Sequence, residues 1–381
     1  MWAIAVIETR AMGQPSVTIA VDAMGGDHAP DEVVRGVAQL SLSHPHINTV
    51  LVGDEARVTA ALGHCKHNPE HLSVHHASQA VPMDAKPSEA LAALPDASIA
   101  VAARLVHDGA AQALVSAGNT GASVLACART WRLVPGVRRA ALAAVYPTQS
   151  VRGQKGDPFS LLLDVGATVE ATAEDLAAFA VMGASYARVV SRNETPKVAL
   201  LSNGTEPKKG PSRVVNAHAL IQKIPGIEFV GNIEGVDLPR GVADVVVCDG
   251  FVGNVVLKML EGISETALSL AKYAAKEKLM WRAGLAMLSS GFQRIKTLTD
   301  WEEYGGAPFL GFDQLFIKAH GRSRARAIQN ACKVAAKAAV AQLPSQIATT
   351  VSELIPAAPQ DSEVTAPLRP RAAPHAGSSG E

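Results

Sequence analysis

The ten residues Val21 to Pro30, VDAMGGDHAP, place Asp22, Gly25, Gly26, Asp27 and His28 within one short turn. An apolar run from Val17 ends at Asp22, so the turn follows a short buried strand. The double glycine permits a sharp turn and a close approach of backbone to a ligand. Pro30 suits a helix start, and Asp31 and Glu32 favour that end of a helix. A second set of small donors, Ser116, Gly118, Asn119 and Thr120, also lies where a helix begins. Backbone N–H groups and the helix dipole at such a terminus attract phosphate, or a carbonyl oxygen that is gaining charge. The plainer reading is that Asn119 caps its helix and Ser116 turns the chain. Gly250, Gly253 and Asn254, just after Asp249, repeat the design, with Lys258 further along the helix. The run EYGGAPFLGF brings Glu303, Gly305 and Gly306, and FIKAHG brings Lys318 and His320 at a strand end. His320 is either an active-site group or a structural histidine, and His28 has the same two readings.

Several chemistries lack their signatures. No G-x-G-x-x-G follows the first strand, and no G-x-x-x-x-G-K-[ST] occurs anywhere. H-E-x-x-H and G-x-S-x-G are absent as well. Cys65, Cys127, Cys248 and Cys332 are scattered with no C-x-x-C pair, which predicts buried thiols rather than a disulfide framework or zinc site. Lys plus Arg and Asp plus Glu number 35 each, so the chain has no basic footprint for nucleic acid. No apolar run is long enough to span a membrane. No basic start followed by an apolar stretch marks a secretory signal. The expectation is a soluble cytoplasmic protein.

These turns need elements to position them. An apolar strand, a turn rich in Gly, Asp or Asn, and a helix recur five times, at TIAVDAMGGDHAP, ALVSAGNTGASVLA, SLLLDVGATVEATAEDL, VALLSNGTEPKKGPSRVV and ADVVVCDGFVGNVVLKML. Thr172 and Asp175 have capping-box spacing. Continuous Val/Leu/Ile/Ala strands alternating with helices predict an α/β, doubly wound, mostly parallel sheet covered on both faces. Such sheets bind ligands at the carboxyl ends of their strands, so all five turns are expected at one edge. Residues 1–15 read as a loose leader, with Met12 an alternative start, and 16–344 as the folded body. The Ala/Pro/Ser/Thr-rich stretch 345–381 reads as a disordered tail. Within 264–300, Lys272 to Lys296 carries six Lys or Arg against one Glu. Trp281, Leu285, Leu288, Phe292 and Ile295 share one helix face there. A packed helix or hairpin, a dimer seam and a helix lying on anionic lipid all fit this segment.

Together, VDAMGGDHAP, VSAGNTGA, LLLDVGA, ADVVVCDGFVGN, EYGGAP and IKAHG resemble the bacterial acyl-acyl-carrier-protein:phosphate acyltransferases, the PlsX family, over about Val17 to Leu343. The resemblance implies a fold similar to the isocitrate dehydrogenase and phosphotransacetylase folds. It implies transfer of a fatty acyl group from acyl carrier protein to inorganic phosphate, with no metal or redox cofactor. The acyl phosphate feeds phospholipid synthesis through a membrane glycerol-3-phosphate acyltransferase. The family is cytoplasmic, homodimeric and peripherally membrane-associated. Asp164 and Gly166 enter the expected site through LLLDVGA. On this basis Asp22, Asp27, His28, Asn119, Lys258 and His320 are candidate catalytic residues. Gly25, Gly26, Ser116, Gly118, Thr120, Asp164, Gly166, Asp249, Gly250, Gly253, Asn254, Glu303, Gly305, Gly306 and Lys318 are candidates for substrate binding. One stretch departs from the family: Ser202-Asn203-Gly204-Thr205-Glu206 stands where many members have Asn-Ile-Gly-Glu-Glu. Rival readings are an acyl-CoA phosphotransacylase, a nicotinamide-dependent decarboxylating dehydrogenase, and a non-catalytic membrane scaffold.

Overall fold

The structure is a computed structural model that describes residues 16–152, 157–277, 280 and 305–354. Its first half comprises β1 (Val17–Asp22), α1 (Asp31–Ser43), β2 (Ile47–Gly53), α2 (Glu55–Leu62), β3 (Leu72–His76), α3 (Pro87–Ala93), α4 (Ser98–His107), β4 (Ala113–Ser116) and α5 (Thr120–Thr130). The strands β5 (Ala141–Arg152) and β6 (Asp157–Leu163) follow, then α6 (Ala173–Val190), β7 (Lys197–Leu201), α7 (Ser212–Ile221), β8 (Glu228–Ile233), β9 (Val245–Val247) and α8 (Gly250–Glu277). The chain returns as β10 (Ala307–Leu310), β11 (Leu315–Lys318), α9 (Ala325–Val340) and α10 (Leu343–Leu354).

The strands form one sheet in the order β3-β2-β1-β4-β11-β10-β5-β6-β9-β7-β8. Alternate residues of each strand enter opposite cores, which is why the strands read as unbroken apolar runs. Ile19, Val115, Ile317, Leu163 and Val247 pack on one face with α1, α6, α9 and α10. Ala20, Leu114, Phe316, Leu162 and Val246 pack on the other with α4 and α5. The capping box at Thr172 forms: its hydroxyl accepts from Asp175 N, and the Asp175 carboxylate accepts from Thr172 N. Cys127, Cys248 and Cys332 are buried free thiols and Cys65 is half-buried.

The sheet is parallel on both flanks, but β10 and β5 are joined to their neighbours antiparallel. Strand direction therefore reverses across the middle. The carboxyl ends of β1, β4 and β11 meet at one edge, where Ser116 pairs with Lys318. Those of β6, β7 and β9 meet at the other, where Leu163 and Leu200 flank Val247. The five glycine turns thus do not share one edge. Two follow β1 and β4, and three follow β6, β7 and β9. The repeat defines each strand's own direction but carries no information about its neighbour's. Between the two halves, β10 has four residues and spans about 10 Å, at roughly 3.3 Å per step.

Two expected boundaries move. The folded body continues past 344 through α10, whose Leu343, Ile347 and Val351 are buried at four-residue spacing in the α6 side of the core. No element begins near Ser264, because α8 runs unbroken from Gly250 to Glu277. Residues 1–15, most of the basic segment, including Trp281, Leu285, Leu288, Phe292 and Ile295, and 355–381 lie outside the described residues, as does Glu303.

Candidate functional site

The first edge is built around Asp22, the last residue of β1, which is almost wholly buried. Its Oδ1 accepts from the Ser98 hydroxyl at 2.6 Å and, at 3.3 Å, from Met24 N. Its Oδ2 accepts from the Ser116 hydroxyl at 2.7 Å. The Ser116 oxygen in turn accepts from Gly118 N at 3.0 Å. The one hydroxyl proton of Ser116 is therefore committed to Asp22, so Ser116 shapes the turn rather than donating to a ligand. Gly25 is required here because a Cβ would press against Asp22 Oδ2 and lie 2.7 Å from Gly118 N. The β1 and β4 turns touch backbone to side chain.

Lys318, at the end of β11, is buried at the same edge and donates from Nζ to the Ala319 carbonyl. Burial pushes its pKa down to about 8, opposed by the Asp22 and Asp27 carboxylates. Asp22 is held above the usual carboxylate range by burial, opposed by Ser98, Ser116, the Met24 amide and Lys318. Each thus has a smaller bias toward its charged form than it would have in water. Asp27 is exposed; its amide donates to Gly321 O at 2.9 Å, tying the β1 turn to the β11 turn. His28 is half-buried in the same turn, and its carbonyl accepts from Glu32 N.

His320 stands beyond Lys318. Its Nδ1 accepts from Arg322 N at 3.2 Å, which places the proton of the neutral ring on Nε2. Burial lowers its pKa, followed by the charge of Lys258; Glu261 opposes, and Arg322 and Lys318 add to the lowering. Lys258 and Glu261 belong to α8 and pair with each other at 2.8 Å. That helix starts at the second edge and carries these two charges back to the first. Lys258 is thereby close enough to His320 to shift it, although it follows a turn at the opposite edge.

Asn119 is the N-cap of α5: its Oδ1 accepts from Ala122 N at 3.0 Å. Its Nδ2 donates to Met83 O at 2.9 Å and Ala85 O at 3.0 Å. Three of its four hydrogen-bonding positions hold local backbone, so Asn119 fixes the loop before α3 against the β4 turn. Thr120, the first helical residue, is exposed. Gly306 belongs to this edge through close packing, since a Cβ there would lie 2.7 Å from Lys318 O. Gly305 packs on α9 instead, against Asn330 and Val334.

The second edge is a different construction. Asp164 is fully buried and accepts from four backbone amides, those of Leu142, Gly166, Ala167 and Thr168, at 2.6–3.0 Å. Burial raises its pKa against those four amides. Asp249 caps α8 by accepting from Val252 N at 2.9 Å and pairs with Arg213 at 2.8 Å. A Cβ at Gly253 would overlap the Asp164 carbonyl, and one at Gly250 would lie 2.8 Å from Asp164 Oδ2. Gly166 and Asn254 adjoin across this knot. Asp164, Gly166, Asp249, Gly250, Gly253 and Asn254 thus lie together, apart from Asp22, Lys318 and His320. Among the described residues, no group of three or more His, Cys, Asp or Glu is arranged to hold a metal ion.

Ser98, Glu261 and Arg322 were not singled out in the sequence. Ser98 opens α4 within DASIAVAARLV, a cap-like setting, but nothing in spacing links it to Asp22, 76 residues away.

A model of the family described as "Fatty acid synthesis protein" matches residues 17–346. A phosphate acyltransferase of Nitratidesulfovibrio vulgaris is 43% identical over 321 residues, covering 84% of this chain and 91% of that protein. One of Myxococcus xanthus is 43% identical over 315 residues, covering 82% and 87%. The chain belongs to the phosphate acyltransferase family. Among solved structures, a phosphotransacetylase from Streptococcus pyogenes superposes with a TM-score of 0.58 at 18% identity, over 86% of this chain and 94% of that one. A branched-chain phosphotransacylase from Enterococcus faecalis gives 0.51 at 15% identity, over 85% and 99%. These two share the α/β fold with the phosphate acyltransferase chain described here.

Proposed function

We infer that the protein transfers a long-chain acyl group from acyl carrier protein to inorganic phosphate, releasing the free carrier and an acyl phosphate for phospholipid synthesis. The observation that carries this reading is the buried Lys318 beside Asp22 and Asp27, at an edge formed by glycine turns, in a chain of the phosphate acyltransferase family. Phosphate is a competent nucleophile, so no serine or cysteine intermediate is required. One of its oxygens attacks the thioester carbonyl; the C–O bond forms, and the C–S bond then breaks with the electron pair leaving on sulfur. The work left to the protein is holding a dianion against the thioester and stabilising the oxyanion. A lysine with a pKa near 8 is suited both to balancing that charge and to handing a proton to the departing thiolate. His320 lies near enough to share that task.

A homodimer at the membrane surface completes the proposal. Phe251, Val255, Met259, Ile263, Leu270 and Tyr273 are all exposed along α8 and share one helix face. That face fits a second copy of the chain. The basic segment beyond it would then rest on anionic lipid and shorten delivery to a membrane glycerol-3-phosphate acyltransferase. No helix among the described residues is long and apolar enough to cross a membrane. The deciding experiment incubates the purified protein with long-chain acyl carrier protein and phosphate. Phosphate-dependent release of free carrier, with acyl phosphate detected, supports the reading; equal or faster turnover of acyl-CoA would replace the carrier protein as donor. Vesicle flotation of Trp281→Glu and Leu285→Glu tests the membrane contact, which unchanged binding would remove.

A further inference from the structure

Asp22, Ser116 and Lys318 end three neighbouring strands. In the sheet register Ala20 lies beside Leu114 and Leu114 beside Phe316, and these three pack on the face covered by α4 and α5. Two residues further along each strand, the pleat turns Asp22, Ser116 and Lys318 toward that same face, with Ser116 directly beside Lys318. All three are buried. A polar row thus crowns an apolar core layer, and α4, which covers that layer, begins at Ser98.

A serine near a helix start ordinarily spends its hydroxyl on nearby backbone. Ser98 does not. Its amide donates to Gln79 O at 2.9 Å, and the N-cap of α4, Ala97, makes no side-chain bond. The hydroxyl, in a residue only 2% exposed, reaches out of its own helix and donates to Asp22 Oδ1 at 2.6 Å. Ser116 holds the other carboxylate oxygen, but its own oxygen is also engaged by Gly118 N. With a hydroxyl on each oxygen, the plane of the Asp22 carboxylate is fixed. Moreover, α4 has no acid in its first turn, and the positive end of a helix favours the anion that β1 brings to it.

The charged and titratable groups of this edge come from four places. Asp22 ends β1, and Asp27 and His28 follow in its turn; Lys318 ends β11, and His320 and Arg322 follow in its turn. Lys258 and Glu261 reach His320 from α8. α4 and β4 present hydroxyls. Lys318 acts on Asp22 by charge, and Asp22 and Asp27 act on Lys318. Burial raises the Asp22 pKa; Ser98 heads the groups that oppose it, ahead of Ser116, the Met24 amide and Lys318.

We propose that Ser98 is a positioning residue for acyl transfer: its hydroxyl fixes the Asp22 carboxylate on the α4 face of the sheet, where that carboxylate is the counter-charge of Lys318. The proposal rests on the phosphate acyltransferase reading and adds the residue that sets the Asp22–Lys318 pair. Ser98 acts through Asp22 and touches no substrate.

The test uses the full chain, long-chain acyl carrier protein and inorganic phosphate. The constant kcat and the KM of each substrate are measured from about pH 5 to 9. Over the same range the 13Cγ resonance of Asp22 is followed in protein carrying 13C-labelled aspartate, assigned by its loss in Asp22→Asn. Ser98→Ala removes a donor to the charged form. The Asp22 midpoint and the acid limb of kcat should therefore both move up by about one pH unit. At the optimum, kcat should fall about ten-fold while each KM changes less than about two-fold. A bond that only fastens α4 to β1 would lower the thermal midpoint and leave both titrations in place, and that result overturns the proposal. So does an Asp22 midpoint that moves without the acid limb. Should Ser98→Ala fold poorly, Ser98→Cys decides. Its weak S–H donor should move both titrations in the same direction by a smaller step, and no movement overturns the role. Wild type that forms no acyl phosphate overturns the enzymatic reading and the Ser98 role with it. Active wild type beside an unmoved variant overturns the Ser98 role alone.

Discussion

The two edges of the sheet use the same ingredients to different ends. Each has a buried aspartate at a strand terminus, locked by glycines that admit no Cβ. At the second edge, the Asp164 carboxylate accepts from four backbone amides, three of them in its own turn. Its carboxylate forms a knot that joins β5, β6 and the start of α8. At the first edge, Asp22 is held by hydroxyls from α4 and β4 and faces the buried Lys318 of β11. Three separate elements thus converge on a pair of groups whose charge states are both loosened by burial. Aspartate and glycine are common to both edges, and the tertiary convergence of titratable side chains is what distinguishes the first.

The largest effect should come from Lys318→Met. Loss of the cation at the first edge is expected to lower the acyl-phosphate rate by about 100-fold or more. The fold should survive, because Asp22 already has a raised pKa and can take up a proton. A rate within a few-fold of wild type would remove Lys318 from the site.

Asp164→Asn should give the opposite pattern. Exchanging a charged acceptor of four amides for a neutral one should cost about 2–4 kcal/mol, read from the denaturant midpoint. The rate per folded molecule should hold. A selective loss of rate without loss of stability would make the two edges functionally alike.

The pH dependence separates stability from activity at Lys318. Its folded pKa, about 8, lies below the ordinary 10.5. Between those values the unfolded chain binds more protons, so this group adds stability as pH rises from about 8 toward 10.5, while below about 8 its contribution is constant. Activity that needs the cation should fall over the lower part of that same window. Thermal midpoints and rates measured from pH 7 to 10 should therefore move in opposite directions, and Lys318→Met should abolish this component of both.

Asn119→Ala should be milder. It removes a helix cap and two bonds to the Met83–Ala85 backbone, costing about 1–2 kcal/mol and lowering the rate about ten-fold through a loosened loop. The smallest change expected is for Lys258→Gln. It removes a positive charge that lowers the His320 pKa, so the fall in rate as His320 loses its proton should move up by a few tenths of a pH unit. No movement would place Lys258 outside the electrostatics of the site.

Much of the local structure was legible in the residues. The apolar runs became strands, Thr172 and Asp175 formed their capping box, and Asn119 capped its helix. Strand polarity was not legible, because the same repeat serves either direction, and the antiparallel β5 and β10 in the middle separate the turns into two groups. The end of the folded body was misplaced for a related reason. Ile347 and Val351 lie in a run of Ala, Pro, Ser and Thr, and only the waiting surface of the α6 layer makes that stretch helical.

By itself, the sequence determined the type of each element, the glycine turns and the set of small polar and ionisable residues placed at strand ends. Those are local consequences of periodicity, β-carbon sterics and cap chemistry. The tertiary structure alone decided which turns face each other. It brought Ser98 to Asp22 across 76 residues, set Lys318 near Asp22 and Asp27, and sent α8 back to place Lys258 near His320. Burial is a property of the packed whole, and burial is what moves the charges of Asp22, Lys318 and His320 away from their ordinary states.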